Sequence, residues 1–241
     1  MSGDGMRIET LDDPAALARH VAEWMTSLAL ASTAIFRVSL SGGSTPKALY
    51  GLLASDAFVR RFPWERVHWY WGDERFVPQD HPESNYRMTR EAMLSKAPVP
   101  PENVHAVPID GMPDEAAARY EQILQQAYGA TTFDPARPLF DVTLLGLGPD
   151  GHTASLLPGE PVLQERKRWV AAVAHGRPEV RITMTYPAID SSRRVGFLVA
   201  GQEKAAIFKE IRGGTSQVPA ARVKPAGELV WFVDRAAAGE G

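Results

Sequence analysis

His152 is the residue in this chain best placed to do acid–base chemistry. It lies in the run F-D-V-T-L-L-G-L-G-P-D-G-H-T-A-S-L-L-P-G, residues 140–159, where an apolar stretch over 142–147 stops at Gly148, Pro149, Asp150 and Gly151. Such a stretch suits a strand buried on both faces of a parallel sheet. The turn beyond it then delivers Asp150, His152, Thr153 and Ser155 to the sheet edge where ligands bind. Imidazole is the side chain that changes charge near neutral pH, so a histidine in that turn suits proton transfer. The plainer alternative is that His152 caps the next helix or packs in the turn.

Two further segments repeat the design. Residues 33–40, T-A-I-F-R-V-S-L, run into S-G-G-S-T-P-K. Gly42 and Gly43 permit close backbone approach, and exposed N–H groups at a helix start favour an anion; Ser41, Ser44 and Thr45 add hydroxyl donors. Thr45 is the expected N-cap and Pro46 the expected first helical residue. The turn fits neither G-x-x-x-x-G-K-[ST] nor G-x-G-x-x-G, so it is either a phosphate cradle of another kind or an ordinary tight turn. In the third segment an aromatic strand, V-H-W-Y-W, ends at Gly72 and is followed by a loop carrying Asp73, Glu74 and Arg75. Three charges in a row often mark a solvated turn. Three strands that each end in a glycine and polar loop describe one site.

Positioning these loops requires alternating strands and helices. Apolar spacing predicts helices over residues 14–30, 85–95, 113–128 and 202–211. Strands are expected at 66–71 and near Val104, Phe140, Trp169, Arg181, Val195 and Leu229. The fold class is α/β, Rossmann-like, with a mainly parallel sheet covered by helices on both faces, built as a single domain over residues 1–241. The aromatic run Trp69, Tyr70 and Trp71 reads as strand core.

In this order, S-L-S-G-G-S-T-P, W-G-D-E-R-F-V-P with S-N-Y, and G-L-G-P-D-G-H-T-A-S-L-L-P-G resemble the 6-phosphogluconolactonase family, within the wider glucosamine-6-phosphate isomerase/6-phosphogluconolactonase superfamily. The similarity extends through R-I-T-M-T-Y-P-A-I at 181–189, G-Q-E-K-A at 201–205 and the closing G-E-L-V-W-F-V-D-R. Glucosamine-6-phosphate deaminases share the D-G-H turn but follow it with an acidic F-N-E-P-like sequence; here it reads H-T-A-S-L-L-P. One departure is the lysine- and proline-rich stretch that lactonases often carry before the R-I-T strand: this chain has H-G-R-P-E-V, so the role of that lysine does not carry over, and Arg177 and His175 are the candidates to replace it.

The resemblance implies hydrolysis of 6-phospho-D-glucono-1,5-lactone to 6-phosphogluconate, the second step of the oxidative pentose phosphate pathway, with no cofactor and no metal. His152 would activate water. Arg75, or N–H groups around Gly42 and Gly43, would meet the oxyanion, and Asp73 would either orient His152 or bind sugar hydroxyls. Substrate and phosphate binding falls to Ser41, Gly42, Gly43, Ser44, Asn85, Asp150, Arg181 and Lys204, with Arg75 also favoured for the phosphate. A serine nucleophile at Ser155 or Ser41 lacks the G-x-S-x-G elbow, and Asp73, Glu74, His81 and His152 lack ligand spacing such as H-E-x-x-H. The competing readings are a deaminase-like enzyme and a sugar-phosphate sensor without turnover. Sensors of this superfamily carry an attached DNA-binding module, and no helix-turn-helix segment is expected here.

Composition limits the alternatives. With 241 residues, 44% hydrophobic, the chain can bury a large core. It has no Cys, hence no disulfide framework and no thiol nucleophile. A net charge of −3 with scattered Lys and Arg gives no footprint for nucleic acid. No apolar run reaches the roughly 20 residues of a membrane span, and M-S-G-D-G-M-R-I-E-T lacks a signal-peptide core. The expected setting is the cytoplasm, as a monomer or small homo-oligomer whose partner is the sugar-phosphate lactone.

Overall fold

The strands with continuous apolar sequence lie at the centre of the molecule. The computed structural model describes residues 6–174 and 179–240. Among these the strands are β1 (Arg7–Leu11), β2 (Phe36–Leu40), β3 (Val67–Trp71), β4 (Asp73–Arg75), β5 (Val142–Gly146), β6 (Val170–Val173), β7 (Arg181–Met184), β8 (Arg194–Val199) and β9 (Glu228–Asp234). Six form one sheet in the order β1-β9-β8-β5-β2-β3, with every pairing parallel. Interior strands β5 and β8 are buried along nearly their whole length, as a sheet covered on both faces requires. Trp69, Tyr70 and Trp71 are core residues, each at most 1% exposed.

Helices flank this sheet. Helix α1 (Pro14–Ala31) starts where the Asp13 carboxylate accepts the Ala16 N–H at 2.7 Å and Pro14 occupies the first turn. Its buried Leu17, Val21 and Met25 recur at helical spacing. Helix α2 is Ser44–Leu53, and α4 is Pro113–Tyr128, ended by Gly129 at φ 79°. Helix α3 (Asn85–Thr89) continues as a π-helical turn over Arg90–Leu94, so the single helix expected at 85–95 changes pitch within its length. Short helices α5 (Tyr186–Asp190), α6 (Ala205–Arg212) and α7 (Arg235–Ala238) complete the set, α6 following a 3-10 turn at Gln202–Lys204.

Several expectations are corrected. Asp73, Glu74 and Arg75 do not sit in a loop; they form β4, the edge of a second, antiparallel sheet in the order β4-β7-β6. Strands β6 and β7 are joined by residues 174–180, too few for the crossover that parallel pairing needs, so they pair antiparallel outside the main sheet. Helix α2 begins at Ser44 with Gly43, not Thr45, at the N-cap, because Gly43 at φ 108° turns the chain early. Pro46 remains in the first turn, where its missing N–H leaves no helical bond unmade. Val104 makes a single bridge to Trp69 and no strand, and β1 is an edge strand that the apolar pattern passes over.

Candidate active site

Strand β2 leads outward through α2 to β3, whereas β5 leads the other way to β8 and β9. Between the carboxyl ends of β2 and β5 the direction of winding reverses, and such a crevice is where open α/β sheets bind ligands. A cleft of about 290 Å³ opens there. It is lined by His152, Asp73, Arg75, Ser41, Gly42, Gly43, Ser44, Asn85, Arg181 and Lys204. Asp150 does not line it.

The β2 loop is held from beneath. The Tyr50 hydroxyl, on α2, accepts the Ser41 N–H at 2.9 Å and donates to the Ser41 carbonyl at 2.8 Å. Burial pushes this phenol far above its ordinary range, so it stays protonated. A Cβ at Gly42 would strike the Asn85 amide, whose Nδ2 donates to the Asp73 carbonyl at 2.9 Å. Glycine at 42 therefore lets the loop close against Asn85.

His152 is fixed by its own turn. Its Nδ1 lies 2.5 Å from Asp150 Oδ1, and its N–H reaches the same oxygen at 3.1 Å. Burial pushes the Asp150 carboxyl up, but the hydrogen bonds from His152 outweigh this and hold it below the usual carboxylate range. An ionised partner at Nδ1 keeps the proton on that nitrogen and leaves Nε2 as the acceptor. Asp150, expected to bind substrate, is thus the residue that orients His152. The orienting alternative for Asp73 is not realised: its Oδ2 accepts from Ser155 Oγ at 2.7 Å, and Asn85 Nδ2 lies 3.5 Å from its Oδ1. Ala154, next to the histidine turn, adopts φ 48°, a left-handed conformation unusual for a residue with a Cβ.

Strand β4 sorts its charges by side. Alternation sends Asp73 and Arg75 into the cleft and Glu74 behind it. Antiparallel register sets Arg75 directly opposite Arg181 on the same face. Like charges in that relation destabilise a sheet. Glu83 lies 3.2 Å from Arg75 and Glu179 3.9 Å from Arg181, partial offsets for two guanidinium groups facing one cleft. Lys204, at the 3-10 turn before α6, brings a third cation. Arg75 Nε is buried with no hydrogen-bond partner among the described residues. Such a concentration of donors is what a phosphate dianion needs.

A sequence family described as glucosamine-6-phosphate isomerases/6-phosphogluconolactonase matches residues 12–231. The chain belongs to this family. It is 41% identical over 240 residues to 6-phosphogluconolactonase of a Nostoc species, covering 97% of both chains. It is 43% identical over 207 residues to the Synechocystis enzyme of that name, covering 83% of this chain and 82% of that one. Among solved structures, 6-phosphogluconolactonase from Trypanosoma cruzi aligns with a TM-score of 0.85 at 30% identity, covering 97% of this chain and 96% of that one.

Family motifs thus converge on the cleft, but sequence reasoning left two of its supports unassigned. Glu74 and Ser155 are each at most 3% exposed, and they bond to the cleft residues from behind. The signal for Glu74 was the two-residue period of D-E-R, legible only once 73–75 is taken as a strand. Glu203 also lines the cleft. The stand-ins His175 and Arg177 lie outside the described residues.

Proposed function

We propose that this chain hydrolyses 6-phospho-D-glucono-1,5-lactone to 6-phosphogluconate, with His152 as general base. Water bound at His152 Nε2 gives up a proton to the ring as its oxygen bonds to the lactone carbonyl carbon. Asp150 holds the opposite nitrogen and stabilises the imidazolium that forms. The carbonyl oxygen becomes an oxyanion facing the N–H groups of Gly42 and Gly43 or the Arg75 guanidinium. Collapse restores the carbonyl and breaks the ring ester bond, and the imidazolium returns its proton to the departing ring oxygen. Arg181, Lys204 and Ser44 take the phosphate, joined by Arg75 where the Gly42 and Gly43 N–H groups meet the oxyanion; Ser41, Asn85 and Asp73 take sugar hydroxyls.

The observation that carries this reading is His152, held at Nδ1 by Asp150, lining the same cleft as the Arg75–Arg181 pair. The chain works as one catalytic unit, and the absence of Cys suits a reducing compartment, which we take to be the cytoplasm. A monomer or small homo-oligomer fits this reading. The test is a coupled assay with freshly made lactone, following hydrolysis above the spontaneous rate, with glucosamine 6-phosphate supplied in parallel. Enhanced lactone hydrolysis without release of ammonia is expected. Deamination would install the competing enzyme reading, and tight sugar-phosphate binding without turnover would install the sensor.

A further inference from the structure

Two cleft residues, Arg75 and Asn85, come from different elements, the β4 edge and the start of α3, and the cleft works only if both hold their places. Behind them lies the Glu74 side chain, 2% exposed and on the face of β4 away from the cleft. Its Oε1 accepts the Arg75 N–H and the Asn85 N–H, both at 2.7 Å. Its Oε2 accepts the Tyr86 N–H at 2.7 Å and the Ser84 hydroxyl at 3.1 Å. Ser84 in turn caps α3 by accepting the Arg87 N–H at 3.1 Å. One carboxylate therefore joins the backbone of both cleft residues through a single oxygen, and ties the helix start through the other.

From this geometry we infer that Glu74 is a positioning residue for the lactonase reaction, setting Arg75 and Asn85 as one rigid wall of the cleft without touching substrate. An amide of the same shape cannot do this. In Glu74→Gln one of the two acceptor oxygens becomes an NH2 group, which must face N–H or O–H donors whichever way the amide turns. The strand edge and helix start then part or shift, and displacements near 1 Å in substrate-positioning groups cost up to about 100-fold.

The inference rests on the reading of the cleft as a lactonase site, so wild-type hydrolysis is measured first; its absence overturns that reading by itself. The variant E74Q is then compared with E121Q. Glu121 is a second carboxylate bonded to backbone, accepting the Trp169 and Val170 N–H groups at 2.7 and 3.1 Å, and it does not line the cleft. Simple loss of folded protein lowers apparent kcat at unchanged KM. Loss of positioning raises KM for the phosphorylated lactone in whatever fraction is folded. The expected result is a KM at least about 10-fold higher in E74Q and within about twofold of wild type in E121Q. Should E74Q not fold, E74D, which keeps the charge but shortens the reach, is expected to show the same rise in KM in a smaller measure. A wild-type KM in E74Q, or in E74D where E74Q is unfolded, overturns the inference, as does an equal rise in E121Q.

Discussion

Gly148→Ala should disable His152 without touching it. A Cβ at residue 148 would come within 2.7 Å of Asp150 Oδ1 and closer still to His152 Nδ1 and Cε1, where non-bonded carbon contacts belong near 3.5 Å. Gly148 does not have positive φ, so alanine costs little in backbone strain there; the methyl acts by occupying the ring's place. The imidazole must retreat by on the order of 1 Å and surrender its geometry to Asp150. General-base catalysis contributes about 10²- to 10⁴-fold, and a displacement of this size removes much of it. We expect kcat/KM to fall about 100-fold, equivalent to roughly 2.7 kcal/mol of transition-state stabilisation. The assay is steady-state lactone hydrolysis, with thermal unfolding measured alongside. Because the methyl acts through the histidine, adding it to His152→Ala should cost almost nothing further. Retention of more than about a third of wild-type kcat/KM in Gly148→Ala would refute the reasoning. So would a double variant whose loss equals the product of the two single losses.

Arg181→Ala and Lys204→Ala should each lower kcat/KM for the phosphorylated lactone by about 10- to 150-fold, from charge-assisted bonds worth about 1.5–3 kcal/mol. Unphosphorylated gluconolactone should be far less affected, and parallel losses on both substrates would remove these residues from the phosphate site. Exhaustive chelation should leave activity unchanged, since no group of three or more His, Cys, Asp or Glu able to hold a metal occurs among the described residues; loss with recovery on adding a divalent ion would contradict this. Burial, the neighbouring His68 and Arg37 push His105 down to about 4. The unfolded chain takes up that proton near pH 6.5, so stability is fully present above pH 6.5 and falls as pH drops towards 4. Partial exposure of the ring limits the loss to about 1–2 kcal/mol. Chemical denaturation across that range should show the slope, and His105→Gln should flatten it; an unchanged slope in the variant would assign the effect elsewhere.

Local signals were legible where they were strong. Helix α4 runs from Pro113 to Tyr128 as the apolar periodicity requires, and the glycine turns after β2 and β5 lie at the ligand crevice. What escaped depends on distant partners. Nothing local distinguishes Asp73–Arg75 as a strand from a charged turn, because its pairing partner β7 lies beyond residue 180. Likewise the sequence leaves open which carboxylate meets His152. Asp150 and Asp73 are both carboxylates beside glycine turns, and only side-chain geometry shows that one reaches the imidazole and the other Ser155.

The small β4-β7-β6 sheet has a further consequence, because a strand's two faces exchange whenever its register slips by one residue. At β4 such a slip would turn Asp73 and Arg75 away from the cleft and point Glu74 into it. A wall that now presents one cation and one anion would then present a lone carboxylate to an anionic substrate. The pairs Asp73 with Thr183, Glu74 with Ile182 and Arg75 with Arg181, continued by the Phe76 N–H on the Val180 carbonyl at 2.8 Å, hold that alignment. The sign of the charge offered to the substrate is therefore set by strand pairing, and a one-residue insertion before Asp73 would change the chemistry of the cleft while leaving all its side chains in the sequence.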